Sequence, residues 1–182
     1  FLEGPLKVRI GLGFGQWPFQ SRKPKLFFDL ISHCDSLGID SIWFSDRILG
    51  RGNILEPTIA MATVAGQSKF MKLGTNVLIF PLRNPVLMAK ELATLDFLSN
   101  GRLLLVAGLG RDDEDEFQAC GISKKSRGRR TDEVITLLRR LWTEDNVNFD
   151  GAFYKLNKVN VDPEPIQKGG PPIWIGGRSD AA

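Results

Sequence analysis

The stretch Met71–Gly110, MKLGTNVLIFPLRNPVLMAKELATLDFLSNGRLLLVAGLG, limits what this chain can fold into more than any other. Lys72–Ile79 is short, apolar and rich in β-formers, and Pro81, Asn84 and Pro85 close it. Asn84 suits a helix N-cap, and Pro85 suits the first helical position, where a missing N–H costs nothing. The helix so begun runs to about Ser99, and Asn100-Gly101 can take the left-handed conformation that ends helices. Leu103–Ala107 is a second apolar run, followed by Gly108-Leu109-Gly110. Two apolar strands joined through one helix pair in parallel, with a right-handed crossover. Ligands of such units gather beyond the carboxyl ends of the strands, here Asn76–Phe80 and Gly108–Arg111.

The alternation extends in both directions. Strand 1 is expected over Lys7–Phe14, a helix over Pro24–Leu37 stopped by Gly38, strand 2 over Ser41–Ser45 with Asp46-Arg47 just past its end, and a helix over Glu56–Gln67. After the central unit come a short acidic helix, Asp112–Ala119, and a longer one, Arg127–Trp142, with Val134, Leu137, Leu138 and Leu141 on one face. Asn146–Asn157 holds two β-runs around Asp150-Gly151, a hairpin signal. A proline-rich connector, Asp162–Pro172, leads to strand 5 at Ile173–Ile175 and then to Gly176-Gly177-Arg178-Ser179. Strands alternating with helices predict the α/β class with a parallel sheet, but periodicity alone does not choose between an open doubly wound sheet and a (β/α)8 barrel. The 182 residues suffice for one domain, 1–182, with a real core. They fall short of the ~250 of a complete barrel, and strands 1 and 5 would stand as raw edges. The chain therefore reads as a fragment, or as the ordered part of something longer.

Composition enters through what it excludes. No apolar run approaches the ~18 residues of a membrane span, and FLEGPLKVRI lacks the shape of a signal peptide. Cys34 and Cys120 are too few for a disulfide framework or a metal knuckle, so a reducing cytoplasm is the expected compartment. The basic cluster Lys124, Lys125, Arg127, Arg129, Arg130 has no interleaved aromatic residues and reads as a solvated or phosphate-facing loop rather than a nucleic-acid surface. Asp112, Asp113, Glu114, Asp115 and Glu116 would spread around a helix, so they read as an N-terminal charge cluster and not a metal site. The lone histidine, His33, reads as structural. Asp96 falls on the apolar face of its helix and needs a partner, for which Arg102 is the nearest candidate in sequence.

Three places carry chemistry. Asp46 is the best candidate for a polar group aimed into a pocket beyond strand 2. Gly108 and Gly110 offer missing side chains through which a flat ring or a phosphate can approach the backbone. Gly176, Gly177, Arg178 and Ser179 combine backbone N–H groups, a guanidinium and a hydroxyl, the chemistry of an anion cradle.

The segments LGTNVLIFPLRNPVLMAKELATLDFLSNGRLLLVAGLG, RGRRTDEVITLLRRLW, FDGAFYKL and PEPIQKGGPPIWIGGRS, in that order, resemble the luciferase-like monooxygenase family, with the greatest likeness to its deazaflavin-dependent, coenzyme F420-using branch. The resemblance implies a (β/α)8 barrel of which this chain supplies roughly the first five strands, with the 146–157 hairpin as an insertion. It implies coenzyme F420, or alternatively FMN, across the barrel mouth. A non-proline cis peptide at Asn76–Val77 would form a bulge behind the ring. Thr75, Asn76, Val77, Gly108 and Gly110 would line the cofactor, and Gly176, Gly177, Arg178 and Ser179 would take its phosphate. Asp46 and Arg47 would face the substrate side as catalytic candidates, with Asp46 also touching the cofactor. Family members usually carry Asp-His at these two positions. An arginine stays charged where a histidine titrates, so the proton-transfer role does not carry over, and Arg47 instead offers its charge to an anionic substrate or the reduced cofactor. The implied activity is F420-dependent hydride transfer to or from a small organic substrate; the alternatives are an FMN-dependent monooxygenase using O2 and a barrel-derived binding protein without turnover. The 182-residue piece alone is expected to be inactive, and the family's frequent dimers make a homodimer the expected assembly.

Overall fold

Five parallel strand positions follow one another in chain order in the computed structural model, which describes residues 8–177. The elements are β1 (Gly11–Phe14), α1 (Pro24–Ser36), β2 (Ser41–Phe44), α2 (Pro57–Gln67), β3 (Lys72–Thr75), β4 (Leu78–Ile79), α3 (Pro85–Ser99), β5 (Leu103–Gly108), α4 (Glu114–Ala119), α5 (Arg127–Leu141), β6 (Val147–Asp150), β7 (Lys155–Val159) and β8 (Ile173–Ile175). β1 pairs with β2, β2 with β3, β3 and β4 with β5, and β5 with β8, all in parallel. Ala107 pairs with Leu78 on one side and Ile175 on the other, so β4 and β8 flank β5. A doubly wound sheet reverses its strand order at a switch point. No reversal occurs here, and the topology selects the barrel reading that periodicity left open.

The expected strand over Lys72–Ile79 is interrupted. Between the pairs Gly74–Leu104 and Leu78–Ala107 one side advances four residues, 74 to 78, and the other three, 104 to 107. The extra residue is a bulge, and the Asn76–Val77 peptide within it is cis. Thr75 closes the gap in the ladder: its hydroxyl oxygen accepts from Val106 N at 2.8 Å and donates to Val106 O at 3.2 Å. Among the described residues β1 begins at Gly11, and Lys7, where the expected strand starts, lies outside them.

Side chains alternate across each strand. Ile42, Phe44, Leu73, Leu103, Leu105 and Ala107 are buried in one core with Ile31, Met61, Val64, Met88, Leu92, Val134 and Leu138 of the helices. On the opposite face Trp43 stacks on Trp174, with ring centroids 6.0 Å apart and planes at 21°. Trp43 lies across Gly74, where an added Cβ would sit 2.1 Å from Trp43 Cε3, so only glycine fits there.

Helix α3 forms as its sequence dictates: Asn84 Oδ1 accepts from Val86 N and Leu87 N, and Asn100 ends the helix at φ 58°. The expected Asp96–Arg102 pair does not form. Asp96 instead accepts from Gln167 N at 3.0 Å and Gln167 Nε2 at 2.7 Å, anchoring the connector that returns the chain to β8. Arg102 donates to the carbonyls of Ser99, Met71 and Ala65, tying three helix and loop ends together. Proximity in sequence suggested the ion pair; a neutral amide 71 residues away satisfies the carboxylate.

The hairpin β6–β7 is antiparallel as expected, but Asp150 ends β6 paired with Lys155, and residues 151–154 form the loop. It is fixed to α5 by Glu133, which accepts from Ala152 N and Phe153 N, and by Arg130, whose guanidinium sits 4.5 Å from the Phe153 ring centre and donates to Tyr154 OH. Aromatic partners for the basic cluster thus come from a distant segment. Lys124 is paired with Asp112 at 2.9 Å and Glu114 at 3.1 Å, so the acidic and basic clusters partly neutralise each other. No helix of the described residues is long and apolar enough to cross a membrane.

Candidate functional site

The tip of β2 is built on a buried ionic group. Asp46 lies just past Phe44, and its backbone N–H donates to Val77 O at 3.2 Å, extending the β2–β3 ladder into the bulge. Its side chain is 2% exposed, and Oδ2 accepts from Ile79 N at 2.9 Å and from Arg83 Nη2 at 2.9 Å. Arg83 also pairs with Glu56 at 2.9 Å, the residue that caps α2 by accepting from Ile59 N. Burial pushes the Asp46 carboxyl above the ordinary carboxylate range, against the opposing pull of Arg83 and the Ile79 N–H. Burial works the same way on Glu56, but the bonds from Thr58 and Ile59 and the charge of Arg83 outweigh it and hold Glu56 below its ordinary value. Asp46 is therefore enclosed rather than aimed into a pocket. It positions the start of β4 through Ile79 N.

The bulge and the glycines beyond it meet at Val77. A Cβ on Gly108 would lie 2.1 Å from Val77 Cγ2, and one on Gly176 would lie 2.6 Å from Val77 Cγ1. The space above both glycines is filled by this valine. Gly110, at φ 79°, packs against Ile79 and Phe117 instead and stands apart from this cluster. Gly176 N donates to Ala107 O at 2.8 Å, so that N–H serves the sheet rather than an anion. Gly177 is exposed at the edge of the described residues, and Arg178 and Ser179 lie outside them. What the strand tips share is an apolar surface, half-buried Val77, with the exposed Asn76 beside it and Ser45 at the tip of the neighbouring strand. Neither the Asn76 amide nor the Ser45 hydroxyl has a hydrogen-bond partner among the described residues. An apolar platform edged by an unengaged amide and hydroxyl fits a flat heterocycle with a polar rim.

Arg47 turns toward the start of α4. Its Nη2 lies 3.6 Å from Asp113 Oδ2, at the start of α4. Asp113 caps that helix by accepting from Glu116 N. Glu116, 1% exposed, reaches back, and its Oε1 accepts from Ile48 N at 2.7 Å and Leu49 N at 3.2 Å. The loop after β2 is thus held by the helix that follows β5. Among the described residues no group of three His, Cys, Asp or Glu side chains could hold a metal.

Sequence reasoning missed Arg83, Glu56 and Glu116. Arg83 carried one available signal, a lone cation inside the otherwise apolar, proline-bracketed run FPLRNP. Glu116 carried none, since four other acids surround it in sequence.

A family profile described as luciferase-like monooxygenase matches residues 10–182. The chain is 35% identical over 160 residues to the F420-dependent glucose-6-phosphate dehydrogenase of Amycolatopsis mediterranei, a match covering 84% of this chain and 47% of that protein. It is 30% identical over 164 residues to the oxygenase component of the flavin-dependent trigonelline monooxygenase of Acinetobacter baylyi, covering 87% of this chain and 45% of that protein. In three dimensions it superposes with a TM-score of 0.82 on the crystal structure of monooxygenase RslO1 from Streptomyces bottropensis, at 25% identity, covering 92% of this chain and 53% of that one. The chain spans about half the length of the curated relatives it matches.

Proposed function

The chain belongs to the luciferase-like monooxygenase family, and from that premise we propose that the whole protein is an oxidoreductase using coenzyme F420 to pass hydride to or from a small organic substrate at the strand tips. One observation carries this reading: Val77 covers Gly108 and Gly176 and presents a single apolar surface where three strand ends converge. A flat ring laid on that surface would meet Asn76 and Val77 on one side, with the fully buried Thr75 supporting them from behind. The cofactor, when bound, supplies the hydride chemistry. The residues of this chain would orient it. Val77 would back the ring, Asn76 and Ser45 would bond its polar edge, and Gly177, Arg178 and Ser179 would take its phosphate end. Asp46 and Arg83 would hold the bulge in place from behind, since Ile79 N and Arg83 share one carboxylate oxygen.

A flavin reading is supported by the likeness to a flavin-dependent monooxygenase over most of the chain. The choice decides the reaction class, because the deazaflavin ring favours hydride transfer and reduced FMN opens reaction with oxygen. Titrating the whole protein with coenzyme F420 and with FMN, followed by cofactor fluorescence, tests both. Saturable binding of F420 at least tenfold tighter than FMN, a difference of about 1.4 kcal/mol, is the expected result. The reverse order would move the assignment to FMN chemistry, and binding of neither would overturn it.

A further inference from the structure

Beside the strand tips, the loop that follows β2 encloses a second, smaller hollow. It has a volume of about 110 Å3 and is lined by Arg47, Ile48, Leu49, Gly50, Gly52, Asn53 and Ile54. A single water needs only about 10–15 Å3 measured in this way, so a polyatomic ion fits. No acidic residue lines it. Arg47 Nε is buried and has no hydrogen-bond partner. The guanidinium packs against Gly50, whose φ is 124°, with Nε 3.1 Å from where a Cβ would stand. Its only charged contact among the described residues, Asp113, is 3.6 Å away, beyond hydrogen-bond length, and spends its other oxygen on capping α4. At the rim, Arg22 is held to the loop through Asn53 Oδ1 at 2.7 Å and makes no ion pair among the described residues. Glu116 clamps Ile48 N and Leu49 N from the opposite side, which turns these two donors away and fixes the loop that shapes the hollow.

A buried guanidinium N–H without an acceptor costs free energy unless something fills the place. We propose that this hollow is an oxyanion subsite, in which Arg47 binds the phosphate, sulfate or carboxylate group of the substrate that reacts at the neighbouring strand tips. The inference rests on the proposed function for the identity of the site it serves. The anion would accept from Nε and Nη2 of Arg47, a planar donor pair matched to two oxygens. Arg22 would add positive potential at the rim. Asp113 opposes the anion, yet its distance leaves the guanidinium donors uncommitted. Glu116 acts as a positioning residue, because it touches the loop backbone and not the ligand.

The test follows the Arg47 Nε–H resonance of the whole protein by NMR during titration with inorganic phosphate and, separately, methyl phosphate. A saturable shift is expected, with affinity falling about tenfold in Arg47→Gln, the loss of one charge-assisted bond. Arg47→Lys should recover only part of it, since the ammonium lacks the paired geometry, and circular dichroism of both variants should match the parent. Equal affinity for both probes indicates a subsite for a substrate-borne group. Binding of inorganic phosphate alone would overturn the substrate assignment in favour of a free-ion site. An unmoved Arg47 resonance, or unchanged affinity in Arg47→Gln, would overturn the subsite altogether. Cofactor titration on the same samples keeps the two readings separate: loss of F420 and FMN binding with phosphate binding intact removes the proposed function but not the anion site.

Discussion

Replacing Arg83 with methionine is expected to cost the whole protein about 3–5 kcal/mol of stability in urea denaturation, the penalty for stranding a buried charge. Asp46 is 2% exposed, and its bonds go to Arg83 and one backbone N–H. Removing the guanidinium leaves that carboxylate enclosed with no counter-charge, and Glu56 loses the same partner. The sign of the pH dependence follows. Burial already raises the Asp46 pKa from its ordinary 3.8, and Arg83 is what restrains the rise. Without Arg83 the folded pKa climbs further above the unfolded one. Folding of the variant then binds a proton more readily than folding of the parent. The deficit is therefore smallest in acid and grows as pH rises through the interval above the ordinary carboxylate value. Adding Asp46→Asn should restore most of the lost stability, because the amide oxygen can still accept from Ile79 N and no charge remains stranded. Coupling of that size between the two sites marks a direct interaction. Equal stability of Arg83→Met and the parent at neutral pH would show that Asp46 finds another partner.

The second large effect concerns Gly108. A Cβ there would stand 2.1 Å from Val77 Cγ2 and 2.9 Å from Val77 Cβ, separations that no packed pair sustains. Gly108→Ala must push Val77 off its seat, at about 1–3 kcal/mol for overpacking. If Val77 backs the cofactor ring, the same change weakens cofactor binding by about tenfold or more. Val77→Ala in the Gly108→Ala background removes the clash and should return stability, with affinity recovering only in part because a smaller surface now faces the ring. Stability from urea melts and affinity from cofactor titration separate the two roles. A Gly108→Ala variant that is destabilised but binds cofactor as the parent does would confine Val77 to packing.

These expectations rest on contacts that the sequence exposes unevenly. The β-α alternation, the Asn84 cap, the Asn100 stop and the β6–β7 hairpin were legible because each depends on one residue and its immediate neighbours. The barrel topology was legible only through the family resemblance, since parallel strands in an open sheet and in a barrel carry the same apolar pattern; the unreversed strand order agrees with it. Gly108 reads in sequence as a place of close approach, and the group that approaches it in the fold is Val77, placed by a bulge that local sequence does not demand. A partner chosen by nearness in sequence failed as well: Asp96 went to Gln167 rather than Arg102. Charge pairing in a folded chain follows where the elements come to lie, and helix length and loop path set that.

The central claim is that the apolar surface at Val77 is the seat of a redox ring. A crystal structure of the whole protein with coenzyme F420, or FMN if the titration prefers it, measures this directly. The account predicts ring atoms within about 4.0–4.5 Å of the Val77 methyl groups, with the ring's polar edge on Asn76 or Ser45. A ring bound elsewhere, with Val77 in contact only with Gly108 and Gly176, would contradict it.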